Sequence, residues 1–276
     1  MSDKTIKVME WNMNCASNEN REIPGFVLNE IINKEKPDIC VLTEIVHCSK
    51  EVEDLKKNGY DARVSIHKEN QNDVLIAWKI EEFEYKDIDE ILNSSDENEE
   101  PDYLMVSLRV KKSKKIIHIV GMRIRTLGLD KRKSQMSKVF ENINKLDQKD
   151  SVIILGDFNV NRRGFDGEWN INILEKISKE YKFSLFPTNG SSIFQAETYH
   201  DLEFPEDNVI TKNCEAKNFL YDRSFTEENP NLYIAHKDFS VYSPKIRRPI
   251  WQIICGSGLP DHAILKGNIV IKGLDS

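Results

Sequence analysis

Short apolar runs recur along the whole chain, and most of them are too short for helices of ordinary length. Residues that favour turns, namely Gly, Pro, Asn, Asp and Ser, bound many of these runs. The pattern therefore predicts a protein rich in β-strands. The predicted strands are residues 6–11, 39–42, 73–78, 104–110, 116–122, 152–155, 208–211 and 263–265.

Three segments show instead the apolar spacing of amphipathic helices: residues 26–35, 133–146 and 169–180. A basic turn at residues 111–115 joins two strands and predicts a β-hairpin with a solvated tip. Strands interspersed with helices and hairpins favour a four-layered α/β sandwich, in which two packed, mostly antiparallel sheets are flanked by helices.

The chain contains no repeat and no linker rich in Pro, Gly or Ser, so we expect one domain over residues 1–276. Residues 87–102 are strongly acidic and are predicted to form a mobile loop. The formal net charge of −7 argues against tight electrostatic binding of long nucleic acid. It does not exclude a nuclease, because a bound divalent cation and a local basic rim can offset the overall charge.

The cysteines and the lengths of the apolar runs indicate the cellular compartment in which we expect the protein. Five cysteines without a CxxC pair predict reduced thiols, no zinc site and a cytoplasmic protein. No apolar run approaches the roughly 18 residues of a membrane span, and the first residues lack the apolar core of a signal peptide. We therefore expect no membrane association, and no segment indicates an obligate protein partner.

The predicted strand at residues 152–155 ends in the sequence Gly156-Asp157-Phe158-Asn159. Asp157 and Asn159 are two residues apart and therefore lie on the same side of an extended segment. A carboxylate and an amide at a strand end suit phosphate-ester chemistry, where one holds a metal ion or a water and the other a phosphate oxygen. Taken alone, these residues are equally typical of a turn.

Three further sites favour the functional interpretation. Asn12 and Asn14 follow the first strand and Glu44 follows the second, at the strand ends where layered α/β proteins place metal-binding carboxylates. Near the end of the chain, Asp261 and His262 are adjacent just before a strand. An acid beside an imidazole can orient and charge the ring, which then binds phosphate or transfers a proton.

In this order, Trp11-Asn12, Glu44, Gly-Asp-x-Asn and Asp-His resemble the motifs of the endonuclease/exonuclease/phosphatase superfamily. The resemblance spans almost the whole chain, from Trp11 to His262. This superfamily includes pancreatic-type deoxyribonucleases, abasic-site endonucleases, sphingomyelinases, inositol polyphosphate 5-phosphatases and deadenylases. The resemblance therefore implies a metal-dependent phosphoesterase and leaves its substrate open.

The resemblance also implies a metal site. Glu44 would be the principal Mg²⁺ ligand, and Asp261 and a water-mediated contact of Asn12 would complete the site. Mn²⁺ is the alternative ion. Asn14, just past the first strand, would contact the substrate.

The same resemblance implies the catalytic residues. Asp157 would activate the attacking water, Asn159 would contact the scissile phosphate, and His262 would bind a phosphate oxygen or transfer a proton. Where many members place His or Tyr, this chain has Arg123, which cannot transfer a proton at neutral pH but can hold a phosphate through two hydrogen bonds. We predict that Arg123 stabilises the transition state and that Arg125 binds phosphate.

Members of the superfamily also supply an acid that supports the catalytic histidine. Asp207, which precedes a short apolar run, has the expected position, and Asp222 is the alternative. The final motif reads Pro-Asp-His, where Ser-Asp-His is frequent. This change leaves both functional side chains in place.

Basic and aromatic residues near the predicted site suit a nucleotide or a single nucleic-acid strand, through phosphate contacts and base stacking. Ordinary packing of the tryptophans is an equal alternative. We predict a nuclease or nucleotide phosphodiesterase. The alternatives are a phosphatase for a small phosphorylated molecule, such as an inositol phosphate or a phospholipid headgroup, and a binding module without catalysis. The basic residues are 123, 125, 131–133, Arg162, Arg163 and 245–248, and the aromatic ones are Phe165, Trp169, Tyr242 and Trp251.

Overall fold

A computed structural model of the chain describes residues 2–14, 23–46, 48–65, 72–86, 101–111, 113, 115–125, 127–160, 169–193, 205–228 and 259–274. The strands in these residues are β1 (Ser2–Asn12), β2 (Ile39–Ile45), β3 (Tyr60–Val64), β4 (Asp73–Lys79), β5 (Phe83–Lys86), β6 (Asp102–Val110), β7 (Ile116–Arg123), β8 (Ser151–Asp157), β9 (Ser184–Phe186), β10 (Asp207–Lys212), β11 (Glu215–Asp222) and β12 (Ile264–Leu274). The helices are α1 (Gly25–Asn29), which continues as a π-helical segment (Glu30–Glu35), α2 (Ser49–Lys57), α3 (Leu129–Ile143), α4 (Ile171–Glu180) and α5 (Ser224–Glu228).

The described strands form two sheets of six. The first has the order β11-β12-β1-β2-β4-β3, and the second has the order β5-β6-β7-β8-β10-β9. The pairs β1–β2 and β7–β8 are parallel, and the other neighbouring strands are antiparallel. Each sheet therefore has one parallel pair near its middle, and the carboxyl ends of both strands of that pair lie at the same edge.

The two sheets pack against each other through their aliphatic inner faces, as Val8 of β1 and Leu155 of β8 illustrate. At Gly121 of β7 the sheets come so close that a Cβ atom would lie 2.7 Å from side-chain atoms of both Val41 and Val74. The outer face of the first sheet is covered by residues of α1, α2 and α5, and that of the second by residues of α3 and α4. The predicted four-layered α/β sandwich with mostly antiparallel sheets is confirmed.

The structure differs from the sequence-based expectation in several elements. Strands β3, β5, β9 and β11 and helices α2 and α5 were not predicted, and β12 is an eleven-residue strand of which only the beginning was predicted. Asp102 was assigned to the acidic loop, and this was wrong, because Asp102 begins β6 and is buried. Residues 87–100 of that loop lie outside the described residues, and the single domain over residues 1–276 stays a prediction. No helix in the described part of the chain is both long and apolar enough to cross a membrane.

Candidate active site

Polar residues replace aliphatic ones at one end of the layer between the two sheets. In β1, Ile6 and Val8 pack between the sheets, and Glu10 and Asn12 occupy the next two positions on that face. In β8, Leu155 packs in the same layer and Asp157 follows it two residues later. The alternation that buries the core therefore also turns these polar side chains into the space between the sheets.

Four charged residues stand side by side on neighbouring strands of the second sheet. Asp102 of β6 is paired with Arg123 of β7, and Arg123 is paired with Asp157 of β8. On the other side of β8, Asp157 is paired with Asp207 of β10. Because neighbouring strands lie about 4.8 Å apart, this row places a cation between two carboxylates and a third carboxylate beside them.

The backbone at the strand ends has unusual conformations. Glu44 has a φ of 51°, and the pairing of β2 with β4 is irregular between Leu42 and Ile45. Such a bulge re-aims a side chain, at the cost of a conformation that residues other than Gly, Asn and Asp seldom adopt. Gly156 has a φ of 154°, and a Cβ atom there would lie 1.8 Å from the carbonyl oxygen of Met122. Only glycine fits at that position, directly before Asp157.

The Asp157 carboxylate is buried and accepts three hydrogen bonds. Asn12 Nδ2 lies 3.1 Å from Oδ2, Asn159 Nδ2 lies 2.9 Å from Oδ2, and the Asn159 backbone nitrogen lies 2.7 Å from Oδ1. Burial, reinforced by Asp207 and opposed by His262 and Arg123, raises the pKa of Asp157 to about 7. A carboxyl group that titrates near neutral pH can accept a proton from a water molecule.

Asn159 serves this carboxylate rather than projecting freely into the site. Its side-chain nitrogen also donates to the carbonyl oxygen of Ile124, at 2.7 Å. Its own carbonyl oxygen accepts a 2.6 Å hydrogen bond from Arg132 Nη1, so that α3 braces the segment after β8. The structure thus gives Asn159 the task of orienting Asp157, and a direct contact with phosphate stays a prediction.

Arg123 lies among three carboxylates. Its Nε is 2.5 Å from Glu44 Oε1 and 3.8 Å from Asp157 Oδ2, and its Nη1 is 3.5 Å from Asp102 Oδ2. Burial acts to lower the pKa of Arg123, but these carboxylates hold it above its ordinary value. Arg125 donates from Nε and Nη2 to Asp102 Oδ1, at 3.2 and 3.0 Å, so it steadies the acid that contacts Arg123.

His262 is held by its backbone and by one acid. Its carbonyl oxygen accepts a 3.0 Å hydrogen bond from Trp11 Nε1, and its Nδ1 lies 2.7 Å from Asp207 Oδ2. Although burial alone would lower it, the Asp207 carboxylate raises the pKa of His262 well above its ordinary value. Asp222, the alternative partner, instead binds Lys266 and the backbone nitrogen of Ser224. The structure therefore pairs the ring with Asp207.

No protein-family model matches the chain, and no curated protein sequence matches it. Solved structures resemble it over almost its full length. One is an endonuclease/exonuclease/phosphatase family protein from Bacteroides thetaiotaomicron, with 12% identity, a TM-score of 0.65 and coverage of 99% of this chain and 100% of that one. The chain has the endonuclease/exonuclease/phosphatase fold.

Two other structures with this fold differ in what they act on or bind. TDP2 from D. rerio, in complex with a single-strand DNA product, is 10% identical, with a TM-score of 0.64 and coverage of 96% of this chain and 99% of that one. A mannosyl-6-phosphatase from Bacteroides thetaiotaomicron is 12% identical, with a TM-score of 0.62 and coverage of 96% and 99%. Identities this low establish the fold that the chain shares with them and no more.

The carboxylates at this edge of the fold suit a divalent cation. Burial raises the pKa of Asp261 to about 6; His262 opposes this shift, and Glu44 adds to it. Acids that repel each other in a mostly buried site are stabilised by a hard cation with oxygen ligands. Among the described residues, no group of three or more His, Cys, Asp or Glu is arranged so that it could hold a metal ion. Mg²⁺ commonly needs only one or two carboxylates, with water and substrate oxygens as further ligands.

Hydrogen bonds of Asn12 and Asn14 stabilise the edge of the sandwich at which the site lies. Asn12 Oδ1 accepts a 2.9 Å hydrogen bond from the Asn14 backbone nitrogen, and Asn14 Nδ2 donates to the carbonyl oxygen of Leu259, at 3.2 Å. The Asn12 side chain thereby connects the end of β1 to Asp157, and Asn14 connects it to the segment before Asp261. The first contact links the two sheets, and the second fixes the segment before Asp261 to the end of β1.

Sequence reasoning missed three acids of the site: Glu10, Asp102 and Glu206. Glu10 is fully buried, its Oε1 accepts from Thr43 Oγ1 at 3.1 Å, and burial together with Asp207 raises its pKa well above the ordinary value. The signal was available for the first two, because each continues the alternation of an aliphatic inner face. Glu206 precedes its strand, so no alternation marks it.

The remaining predicted substrate contacts fall into two groups. Arg162, Arg163, residues 245–248, Phe165, Tyr242 and Trp251 lie outside the described residues. Trp169 is buried and donates from Nε1 to the carbonyl oxygen of Phe158, at 2.8 Å, so it packs in the core rather than offering a stacking surface.

Proposed function

We propose that the chain is a divalent-metal-dependent phosphodiesterase that acts on nucleic acid or nucleotides. The observation that carries this proposal is the assembly of Asp157, Asn12 and the His262–Asp207 pair at one edge of the sandwich. It joins a carboxylate able to take a proton from water to an imidazole able to hold phosphate. Asp157 ends β8 of the second sheet and His262 lies just before β12 of the first, so the packing of the two sheets brings them together.

The mechanism follows from the tasks that these groups can perform. Asp157 accepts a proton from the attacking water while Asn12 and Asn159 keep its carboxylate oriented. His262, charged through its contact with Asp207, donates from Nε2 to a non-bridging phosphate oxygen. Arg123 adds fixed positive charge beside Asp157.

Glu44 and Asp261, with a water-mediated contact of Asn12, would hold Mg²⁺ or Mn²⁺. The bound ion would offset the negative charge that develops on the phosphorus-bound oxygens. The same ion would relieve the repulsion between the two acids, which explains how a chain of net charge −7 can accept a polyanion.

Two candidate substrate classes are each favoured by a neighbour with the same fold. The DNA product bound to D. rerio TDP2 favours nucleic acid or nucleotide substrates. The mannosyl-6-phosphatase favours the second candidate, a phosphatase for a small phosphorylated molecule. We place the first ahead because the predicted basic and aromatic residues around the site suit phosphate contacts and base stacking.

The test is hydrolysis by the purified chain, with Mg²⁺ or Mn²⁺, of plasmid DNA, single-stranded DNA, RNA, dinucleotides, sugar phosphates and inositol phosphates. We expect cleavage of a nucleic acid or dinucleotide that is lost on chelation of the metal. Asp157→Asn should lower kcat/KM by about 10³-fold, because it removes the proton acceptor. Asp147→Asn, in the turn before β8, is the matched control and should leave activity unchanged.

Other outcomes would redirect the proposal. Turnover of sugar or inositol phosphates alone would replace the nuclease assignment with the phosphatase one. Ligand binding without turnover of any compound in the panel would leave a binding module.

A further inference from the structure

Glu206 lies at the edge of the site, one residue before β10. Its backbone is fixed on both sides, because its nitrogen donates to Ser192 Oγ at 3.0 Å and its carbonyl oxygen accepts from the Phe158 nitrogen at 2.7 Å. Its side chain is 18% exposed, and its Oε2 lies 3.8 Å from His262 Nε2. The carboxyl group thus faces the ring nitrogen that remains available after Nδ1 has bound Asp207.

The surroundings of Glu206 differ from those of Asp157. Asp157 accepts three hydrogen bonds, whereas no described residue donates a hydrogen bond to the Glu206 carboxyl group. Hydrogen bonds to a carboxylate favour its charged form, and nearby acids disfavour it. The titratable groups that face Glu206 are Asp157, His262, Asp207 and Asp261.

This setting favours the protonated form of Glu206. Burial, followed by the repulsion of Asp157, raises its pKa to about 8, although His262 acts against the shift. A protonated carboxyl group is a hydrogen-bond donor and carries no negative charge. At neutral pH the group can therefore face a phosphate without repelling it.

The distance between the two side chains suits a shared acceptor. The two donor atoms are 3.8 Å apart. A single oxygen atom can therefore lie about 2.8 Å from each of them, and about 2.8 Å is an ordinary hydrogen-bond length. A non-bridging phosphate oxygen bound to His262 Nε2 would then also contact Glu206 Oε2. The two groups would form a pair of donors aimed at one point.

We propose that Glu206 is a further phosphate-binding residue, whose protonated carboxyl group donates, together with His262 Nε2, to one non-bridging oxygen of the substrate. This inference rests on the proposed function, since it assumes that His262 binds phosphate. It adds a donor that depends on pH, because the acid form binds the anion and the ionised form repels it. Activity should accordingly fall at alkaline pH as Glu206 ionises.

Two variants separate the donor from the charge. Glu206→Gln keeps the shape and supplies an N–H donor that does not ionise, and Glu206→Leu removes the donor. We expect Glu206→Gln to keep kcat/KM within about threefold of the wild type at pH 7 and to retain it at pH 9, where the wild type has lost about tenfold. At both pH values, the kcat/KM of Glu206→Leu should be roughly 10²-fold below that of the wild type at pH 7. This is the usual effect of removing one hydrogen-bond donor to a developing oxyanion.

A binding measurement keeps the inference testable apart from turnover. Calorimetric titration with inorganic phosphate at pH 7 should show similar affinity for the wild type and Glu206→Gln, and at least tenfold weaker binding for Glu206→Leu. Glu215→Gln, on the exposed face of β11, is the control and should change neither measurement. Urea unfolding of each variant verifies that the fold is intact.

Three results would overturn the inference: Glu206→Gln as impaired as Glu206→Leu, an unchanged alkaline fall in Glu206→Gln, or normal phosphate binding by Glu206→Leu. Failure of the proposed function looks different. In that case the wild type would hydrolyse no phosphoester, while the phosphate affinities of the variants would still decide the role of Glu206.

Discussion

The candidate site has two halves that flank Asp157, and they handle charge differently. In the arginine half, the guanidinium of Arg123 faces the carboxylates of Glu44 and Asp102. In the histidine half, the ring of His262 faces Asp207, Glu206 and Asp261. Both halves gather several acids around one cation. A guanidinium stays charged at all physiological pH values, whereas an imidazole and the protonated acids around it exchange protons.

This difference indicates a division of labour. The arginine half is a permanent ion-pair network, so it fixes the positions of Glu44 and Asp157 in any condition. The histidine half contains more acids than its single cation can balance, and burial together with the repulsion between these acids raises the pKa values of Glu206 and Asp261. We therefore expect the histidine half to transfer protons and to make activity depend on pH. The arginine half should keep the carboxylates of the site in position.

The largest effect should come from separating the ring from its acid. Asp207→Asn removes the charge that holds the imidazole protonated and oriented, so we expect kcat/KM to fall about 10³-fold. The measurement is the initial rate on the best substrate of the panel. Asp222→Asn, at the alternative position, should lower the rate less than threefold. An equal loss in the two variants would refute the pairing of His262 with Asp207 as the functional one.

The next effect should appear in stability rather than in the rate alone. Arg123→Ala leaves Glu44 and Asp102 without their cation in a mostly buried site, so we expect the free energy of unfolding to fall by about 3 kcal/mol. Urea denaturation at pH 7 measures it. Arg123→Lys should recover part of this loss, because it restores the charge without the fork of donors. A loss below about 1 kcal/mol would show that the arginine half does not keep the carboxylates of the site in position.

The smallest effect per unit of change is the gradual dependence of stability on pH in the absence of divalent metal. The pKa values of Asp157, Asp261 and Glu206 are raised in the folded chain, to about 7, 6 and 8. The folded state thus binds more protons than the unfolded state between pH about 4 and 8, and its stability falls as the pH rises through this range. The raised pKa of His262 acts in the same direction, since its contribution is complete below about pH 6.5 and is lost at higher pH.

We therefore expect the free energy of unfolding to decrease from pH 5 to pH 8, by roughly 1.4 kcal/mol for each pH unit over which one of these groups is protonated only in the folded state. Urea titrations at several pH values provide the measurement. Glu206→Gln should flatten the curve, whereas Glu215→Gln should leave it as it is. Stability that rises over this range would contradict the account of the histidine half.

The sequence predicted the fold class because the strands that form the two parallel pairs are short aliphatic runs with polar ends. Asn12, Glu44 and Asp157 were chosen because each follows such a run directly. The edge strand β11 was missed because half of its side chains are exposed and only one is buried. Its buried residue, Phe219, covers Gly267, where a Cβ atom would lie 2.5 Å from the ring. That close contact has no local signature.

The rest of the site depends on relations between distant strands. Asp102 was assigned to a loop because acidic residues precede it, although it continues the alternation of β6, and its pairing with Arg123 depends on a distant strand. The sequence shows Glu206 only as the residue before Asp207. Its contact with His262 could not be predicted, because the two residues are far apart in the chain. The contact of Arg125 with Asp102 likewise needs the pairing of β6 with β7, and its predicted binding of phosphate stays a prediction. Spacing along the chain predicts which residues end strands and leaves their partners undetermined.

The row formed by Asp102, Arg123, Asp157 and Asp207 is inseparable from the hydrogen bonding of four adjacent strands. A single-residue insertion within β7 or β8 would turn the charged side chains toward the helices and bring aliphatic ones into the site. Insertions in the connecting loops leave the row untouched. A library of variants could therefore keep these four strands and vary the length and sequence of the loops. We expect such variants to differ in the substrates that they bind and to share the same row of charged residues.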